Sequence, residues 1–251
     1  MNEARAAVYD SLGGEYERAF DVFLANTDQK DKARGWLETA LDRLPERRHF
    51  VDAGAGTGKV TAWLAPRFES TTAIEPNPHL RRQLAANCPG ATIVALPILE
   101  CMLDRPADFV LASHVFYYIP AADWVPTLER LASFLAPQGV LVVVLQNPGT
   151  DCMALVEYFH GQRFHLQALA QDFSARHTGT FNCRIETVDS HITAPDPGTA
   201  YTIAEFMLNL LPMHAVPLKD DVEAFITRRF RKSGNGFAFS CSQDFLVVSR
   251  V

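Results

Sequence analysis

Between residues 50 and 76 the chain reads FVDAGAGTGKVTAWLAPRFESTTAIEP, and this stretch limits the fold more than any other. Phe50 and Val51 close a short apolar run with the character of a buried strand. Asp52 and three glycines (Gly54, Gly56, Gly58) then make a sharp turn, and VTAWLA opens a helix. A second apolar run, TTAI, ends on the acid Glu75. Strand, glycine turn, helix, strand and acid is the opening of a doubly wound α/β sheet with a nucleotide-type cofactor site at its strand ends.

Spacing decides which cofactor. A dinucleotide turn follows G-x-G-x-x-G, and its third glycine lets helix and strand pack closely beneath a pyrophosphate. Lys59 occupies that third position, so NAD-linked redox chemistry fails here. Asp52 lies two residues before the first glycine. It would repel a pyrophosphate but suits a ligand that carries an ammonium and a sulfonium. The pattern D-x-G-x-G-x-G, with an acid seventeen residues past its last glycine, resembles motifs I and II of the class I S-adenosylmethionine-dependent methyltransferases.

The resemblance covers residues 45–147 and 236–250. It implies a doubly wound, Rossmann-like, seven-stranded and mostly parallel sheet with an antiparallel C-terminal hairpin strand and a helical lid. It also implies S-adenosyl-L-methionine as cofactor, held by Asp52, Gly54, Ala55, Gly56, Glu75, Pro76, Leu96 and Ser113, with Glu75 taking both ribose hydroxyls. At the third strand end the family often has an acid or amide for the adenine amino group. Here LPILE leaves Leu96 in that place and Glu100 some residues later, so backbone groups would supply the recognition, with Leu96 and Ile98 as apolar walls.

Composition narrows the partners. At 251 residues, with 48% hydrophobic and 21% charged side chains, the chain fits a single globular domain. A net charge of −6 provides no basic surface for nucleic acid, and the one basic cluster, RRFRKS at 228–233, reads as a solvated helix end. No 18-residue apolar run occurs, and the N-terminal MNEARAAVYDSL lacks a signal-peptide core. No membrane partner is therefore expected. Five cysteines (Cys88, Cys101, Cys152, Cys183, Cys241) are scattered without C-x-x-C spacing, which suits reduced thiols in a cytoplasm and argues against a metal. A monomer or homodimer is expected.

Apolar positions three to four apart, among them Val8, Leu12, Tyr16, Phe20, Phe23 and Leu24, predict helix over residues 4–44 as an N-terminal cap (1–44). Strands are expected at 49–53, 71–75, 91–96, 108–113 and 139–146, and helices at 58–67, 77–87 and 121–136. Their alternation implies a parallel sheet with right-handed crossovers. Residues 150–235 mix polar and aromatic side chains and are read as inserted lid helices. GFAFSCSQDFLVVSR reads as two closing antiparallel strands with a turn near Ser242-Gln243.

Ligands of open α/β sheets bind beyond the carboxyl ends of the strands. SHVFYYIP marks the fourth such end and brings His114, Tyr117 and Tyr118 within one turn. These three are the candidate catalytic residues. Histidine can take a proton from an amine or phenol, and tyrosine faces can surround a sulfonium or ammonium. The segment Y-x-x-x-F-x-x-F-L before NTDQ, a fourth strand end reading YY, and a late EYFHGQRF look like the histamine N-methyltransferase group. A small-molecule acceptor is expected, an amine nitrogen ahead of an oxygen or carbon of a small aromatic or carboxylate metabolite. Tyr16, Phe20, Asp28, His114 and Tyr117 would bind it beneath a lid made from 1–28 and 150–235. His114 stands where that group has an amide, and its tryptophans after the fifth strand are missing, which argues against histamine itself. A non-catalytic cofactor-binding module is the competing class, and the intact glycine turn with Glu75 counts against it.

Overall fold

The computed structural model describes residues 4–10, 13–213, 215–232 and 235–251. Along the chain come α1 (Gly14–Ala25), α2 (Gln29–Asp42), β1 (His49–Ala53), α3 (Lys59–Leu64), β2 (Ser70–Ile74), α4 (Pro78–Asn87) and β3 (Thr92–Val94). They are followed by β4 (Ala107–Ser113), α5 (Trp124–Ser133), β5 (Leu135–Gln146), α6 (Asp151–His160), α7 (Leu166–Arg176), β6 (Phe181–Val188) and β7 (His191–Ala194). The chain closes with α8 (Pro197–Leu208), α9 (Lys219–Phe230), β8 (Phe237–Ser240) and β9 (Gln243–Arg250).

Two compact units result. The first comprises Glu38–Leu145, His165–Glu186 and Asp244–Val251. Its seven-stranded sheet runs β3-β2-β1-β4-β5-β9-β6, mostly parallel, with an antiparallel C-terminal strand and helices flanking it. β1 pairs in parallel with β2 and β4, and β4 with β5. Runs such as Phe109–Ala112 and Leu141–Leu145 are buried throughout, as expected of strands covered on both faces. α5 presents Leu128, Leu131 and Ala132 to the core, and Asn77 caps α4 by accepting from the His79 and Leu80 amides.

The second unit comprises Met1–Leu37, Gln146–Phe164 and Thr187–Gln243. A core of Phe23, Ile203, Phe206, Phe225, Phe230 and Phe239 holds it together, and β7 and β8 form an antiparallel two-stranded sheet.

Four expectations differ from this architecture. Helix begins at Gly14 and breaks at 26–28, while residues 4–10 are not helical. Gly13-Gly14 and Asn26-Thr27 interrupt a period that the apolar spacing carries straight through, and Leu12 lies outside the described residues. The 150–235 segment is not all helical lid, because α7 and most of β6 belong to the sheet unit. Its last basic-cluster residue, Ser233, lies outside the described residues. β8 pairs with β7 rather than forming a hairpin with β9, whose sheet neighbours are β5 and β6. Finally, β5 starts at Leu135, four residues before Gly139, where the expected strand began. A register shift near Ala107 accommodates Pro137, and Gly139 lies so close to the Ala107 carbonyl that a side chain would overlap it.

Residues 4–10 are strapped down by backbone bonds between Ala6 and Pro217 and between Lys219 and Ala4, by Asn209, and by one buried acid. Glu205 of α8 is 8% exposed. Its carboxylate accepts from the Ala7 amide (2.7 Å), the Tyr201 hydroxyl (2.8 Å) and the Tyr9 hydroxyl. Burial and this carboxylate keep the Tyr9 phenol protonated far above its ordinary range. Glu205→Ala should cost about 2 kcal/mol in urea unfolding, because the freed donors regain water when the strap peels away. A loss under about 0.5 kcal/mol would show that the strap is not held by this acid. Among the described residues no helix is long and apolar enough to cross a membrane.

Candidate active site

The glycine turn leaves β1 with three left-handed residues, Gly54 (φ 79°), Gly56 (φ 56°) and Gly58 (φ 81°). Such angles strain any residue with a Cβ. A Cβ on Gly56 would meet no atom within 4 Å, so this glycine faces open space where a ligand can approach the backbone.

Hydrogen bonds hold the loop in place. The Gly54 and Ala55 amides donate to the Ile74 carbonyl (2.8 and 3.0 Å), and Asn87 donates to the Thr57 carbonyl (2.8 Å). Glu75, 6% exposed, accepts the Gly56 amide on Oε2 (2.9 Å) and the Asn77 amide on Oε1 (2.8 Å). Each carboxylate oxygen retains a second acceptor position, so a pair of vicinal hydroxyls can still be taken.

Asp52 is buried at the end of β1, and its Oδ2 accepts from the Thr61 hydroxyl at 2.6 Å. Burial pushes its carboxyl up to about 6, the nearby Glu75 adds to this, and the Thr61 bond opposes it. Thr61 is a buried partner that the motif does not disclose. Its one sequence signal is a hydroxyl within the apolar helical run VTAWLA.

Past β3, Leu96 and Leu99 are exposed while Ile98 is buried, which makes Leu96 an available apolar wall and turns Ile98 inward. Pro76 is exposed and Ser113 half-buried. At the end of β4, His114 has φ 59°, the single non-glycine positive φ among the described residues. Histidine is enriched in this region of backbone space, and such strain gathers at functional sites. Its amide is fixed by the Val144 carbonyl at 2.9 Å. The His114 and Tyr117 rings stack at 5.8 Å with 20° between planes. Phe116 is buried against Trp124 (5.5 Å, edge-on), and Tyr118 is 65% exposed.

All of these residues lie in the sheet unit. Tyr16, Phe20 and Asp28 lie in the other unit. There the Tyr16 and Phe20 rings each pack 5.4 Å from Phe206, Lys30 sits 4.6 Å over Phe20, and Asp28 Oδ1 accepts the His191 amide at 2.8 Å. Asp28 thus has a local structural bond that its position before α2 did not reveal.

Known proteins resemble this chain in sequence and fold. A family model described as a methyltransferase domain matches residues 25–182. An uncharacterised methyltransferase of Staphylococcus carnosus is 22% identical over 64% of this chain and 74% of its own length. A trans-aconitate 2-methyltransferase of Rhizobium etli is 27% identical over 47% of each chain. Among solved structures, the N-methyltransferase NodS from Bradyrhizobium japonicum, bound to S-adenosyl-L-homocysteine, aligns with a TM-score of 0.52 at 15% identity, over 95% of this chain and 98% of NodS. The YcgJ protein of Bacillus subtilis aligns with a TM-score of 0.61 at 11% identity, over 85% and 97% of the two chains. These structural likenesses concern the fold.

Proposed function

This chain belongs to the methyltransferase-domain family, as an S-adenosylmethionine-dependent enzyme, and from that premise we propose that it methylates the nitrogen of a small amine. When bound, S-adenosylmethionine supplies a methyl group on a sulfonium. Gly54, Ala55 and Gly56 would present backbone to it, Glu75 would take its ribose hydroxyls, and Asp52 would place negative charge beneath it. Pro76, Leu96 and Ser113 would border the remainder. The open space over Gly56 and the spare acceptor positions on Glu75 fit that group.

One observation carries the choice of acceptor. The four strand ends bear Asp52, Glu75 and Glu100 with stacked aromatic rings, and no arginine. Arg81, a turn further on, donates to the Glu75 and Pro76 carbonyls. A polycarboxylate like the one named for the Rhizobium relative would find no arginine at these strand ends to clamp it, whereas an amine suits aromatic faces and nearby acids. His114 would hold the amine or take its proton, and Tyr117 would keep the imidazole oriented by stacking. Tyr118 would act from the rim, where its ring is exposed. Tyr16, Phe20 and Asp28 are retained as acceptor-binding candidates of the other unit, in the manner of the histamine N-methyltransferase group. Displacement at a sulfonium has a good leaving group, so positioning supplies much of the rate. The five cysteines are all free thiols, which supports a cytoplasmic enzyme.

Labelled methyl transfer should be screened across amines, amino acids, phenols and carboxylates. Transfer to amines is expected, and transfer to carboxylates alone would overturn the assignment. With the best acceptor, His114→Ala should lower turnover about tenfold or more and leave S-adenosylmethionine affinity within about threefold. Full turnover would remove His114 from the site. His114→Gly should lower turnover equally while matching or exceeding wild-type stability by up to about 1 kcal/mol, since glycine accepts the left-handed backbone.

A further inference from the structure

Gly54 and Gly56 do different work. Gly56 faces open space, but a Cβ on Gly54 would overlap Val115 Cγ2 and lie 3.0 Å from Cγ1. Val115 therefore fills the volume that the absent side chain leaves. It directly follows the strained His114, and its carbonyl accepts the Tyr118 amide at 3.0 Å, opening the turn Phe116–Tyr118 that carries Tyr117. The glycine turn and this ring-bearing turn leave neighbouring strands, β1 and β4, paired in register at Asp52 and Leu111. A β-branched side chain has few rotamers, so a valine wedged here transmits position with little play.

We propose that Val115 is a positioning residue whose side chain, seated against Gly54, sets the spacing between the cofactor-binding glycine turn and the His114–Tyr117 ring pair. The inference rests on the assignment of the glycine turn to S-adenosylmethionine. Misplacing a reacting group by about 1 Å can cost on the order of a hundredfold in rate, so one wedge between the two turns matters more than its contact area suggests.

Calorimetry with S-adenosylmethionine on wild type, Gly54→Ala, Val115→Ala, Val115→Thr and Gly54→Ala/Val115→Ala tests this. It is paired with NMR of the His114 imidazole signal as S-adenosylmethionine is added. Gly54→Ala should weaken binding about thirtyfold and Val115→Ala about threefold, because the first forces an overlap and the second leaves a partly solvated gap. The double variant should bind at least about fivefold tighter than Gly54→Ala alone, since contacting residues are non-additive. The cofactor-induced shift of the His114 signal should be lost in Val115→Ala and kept in Val115→Thr, which preserves the branched shape. If Gly54→Ala does not fold, the Ala–Thr comparison at Val115 decides. Additive losses, or an unchanged His114 response in Val115→Ala, would overturn the proposal and leave the cofactor assignment standing. Failure of the wild type to bind S-adenosylmethionine would overturn both.

Discussion

Glu75→Ala should weaken S-adenosylmethionine binding by at least about a hundredfold, on the order of 3 kcal/mol or more. Pairing with ribose hydroxyls alone would predict a smaller loss, but this carboxylate has a second task. It accepts the Gly56 and Asn77 amides at 2.9 and 2.8 Å and so ties the glycine turn to the end of β2. Alanine strips two loop amides of a charged acceptor and frees the loop that must approach the cofactor. Gln should fall between Glu and Ala, because its oxygen still serves one amide while its NH2 faces the other donor. Calorimetry on the three proteins should give the order Glu, Gln, Ala. An alanine variant within about threefold of wild type would mean that the ribose lies elsewhere.

What could be read from sequence tracks how locally each feature is determined. The Asp52–Gly58 turn and Glu75 were legible because left-handed glycines between a buried strand and a helix admit few structures, and the observed φ values are of that kind. Strands β1, β2 and β4 lie within one residue of expectation, since continuous apolar runs leave little choice. β6 was missed. Its sequence, FNCRIETV, is half-exposed in alternation, a weak period-two signal inside a polar-aromatic stretch that resembles helix. The pairing of β8 was missed because Cys241 and Ser242 turn the chain from one sheet into another, and sheet membership is a long-range property. Nothing local marks the φ of His114 either. Its backbone is held by the Val144 carbonyl on one side and by the turn that Val115 opens on the other.

The same limit hides the energetic state of Asp52, from which the second large effect follows. Burial raises its carboxyl from 3.8 to about 6, so the fold binds this proton more tightly than the unfolded chain does. The associated stabilisation is fully present below about pH 4 and is lost as pH rises through about 6. At neutral pH the ionised group thus costs the protein about 3 kcal/mol. A cationic cofactor reverses the preference, because it favours the carboxylate. S-adenosylmethionine affinity should therefore fall by up to about tenfold per pH unit below about 6, and binding near that pH should release a proton, visible as a buffer-dependent enthalpy. Asp52→Asn keeps an acceptor for the Thr61 hydroxyl but never ionises. At pH 8 it should bind the cofactor about a hundredfold more weakly. Its unfolding free energy there should rise by about 1 kcal/mol or more, the relief from ionisation being partly offset by an amide donor left without a partner. Its affinity should also be flat between pH 5 and 8. A wild-type affinity that does not change over that range would show that the Asp52 charge does not face the sulfonium cofactor, and the acid would then serve only to anchor Thr61.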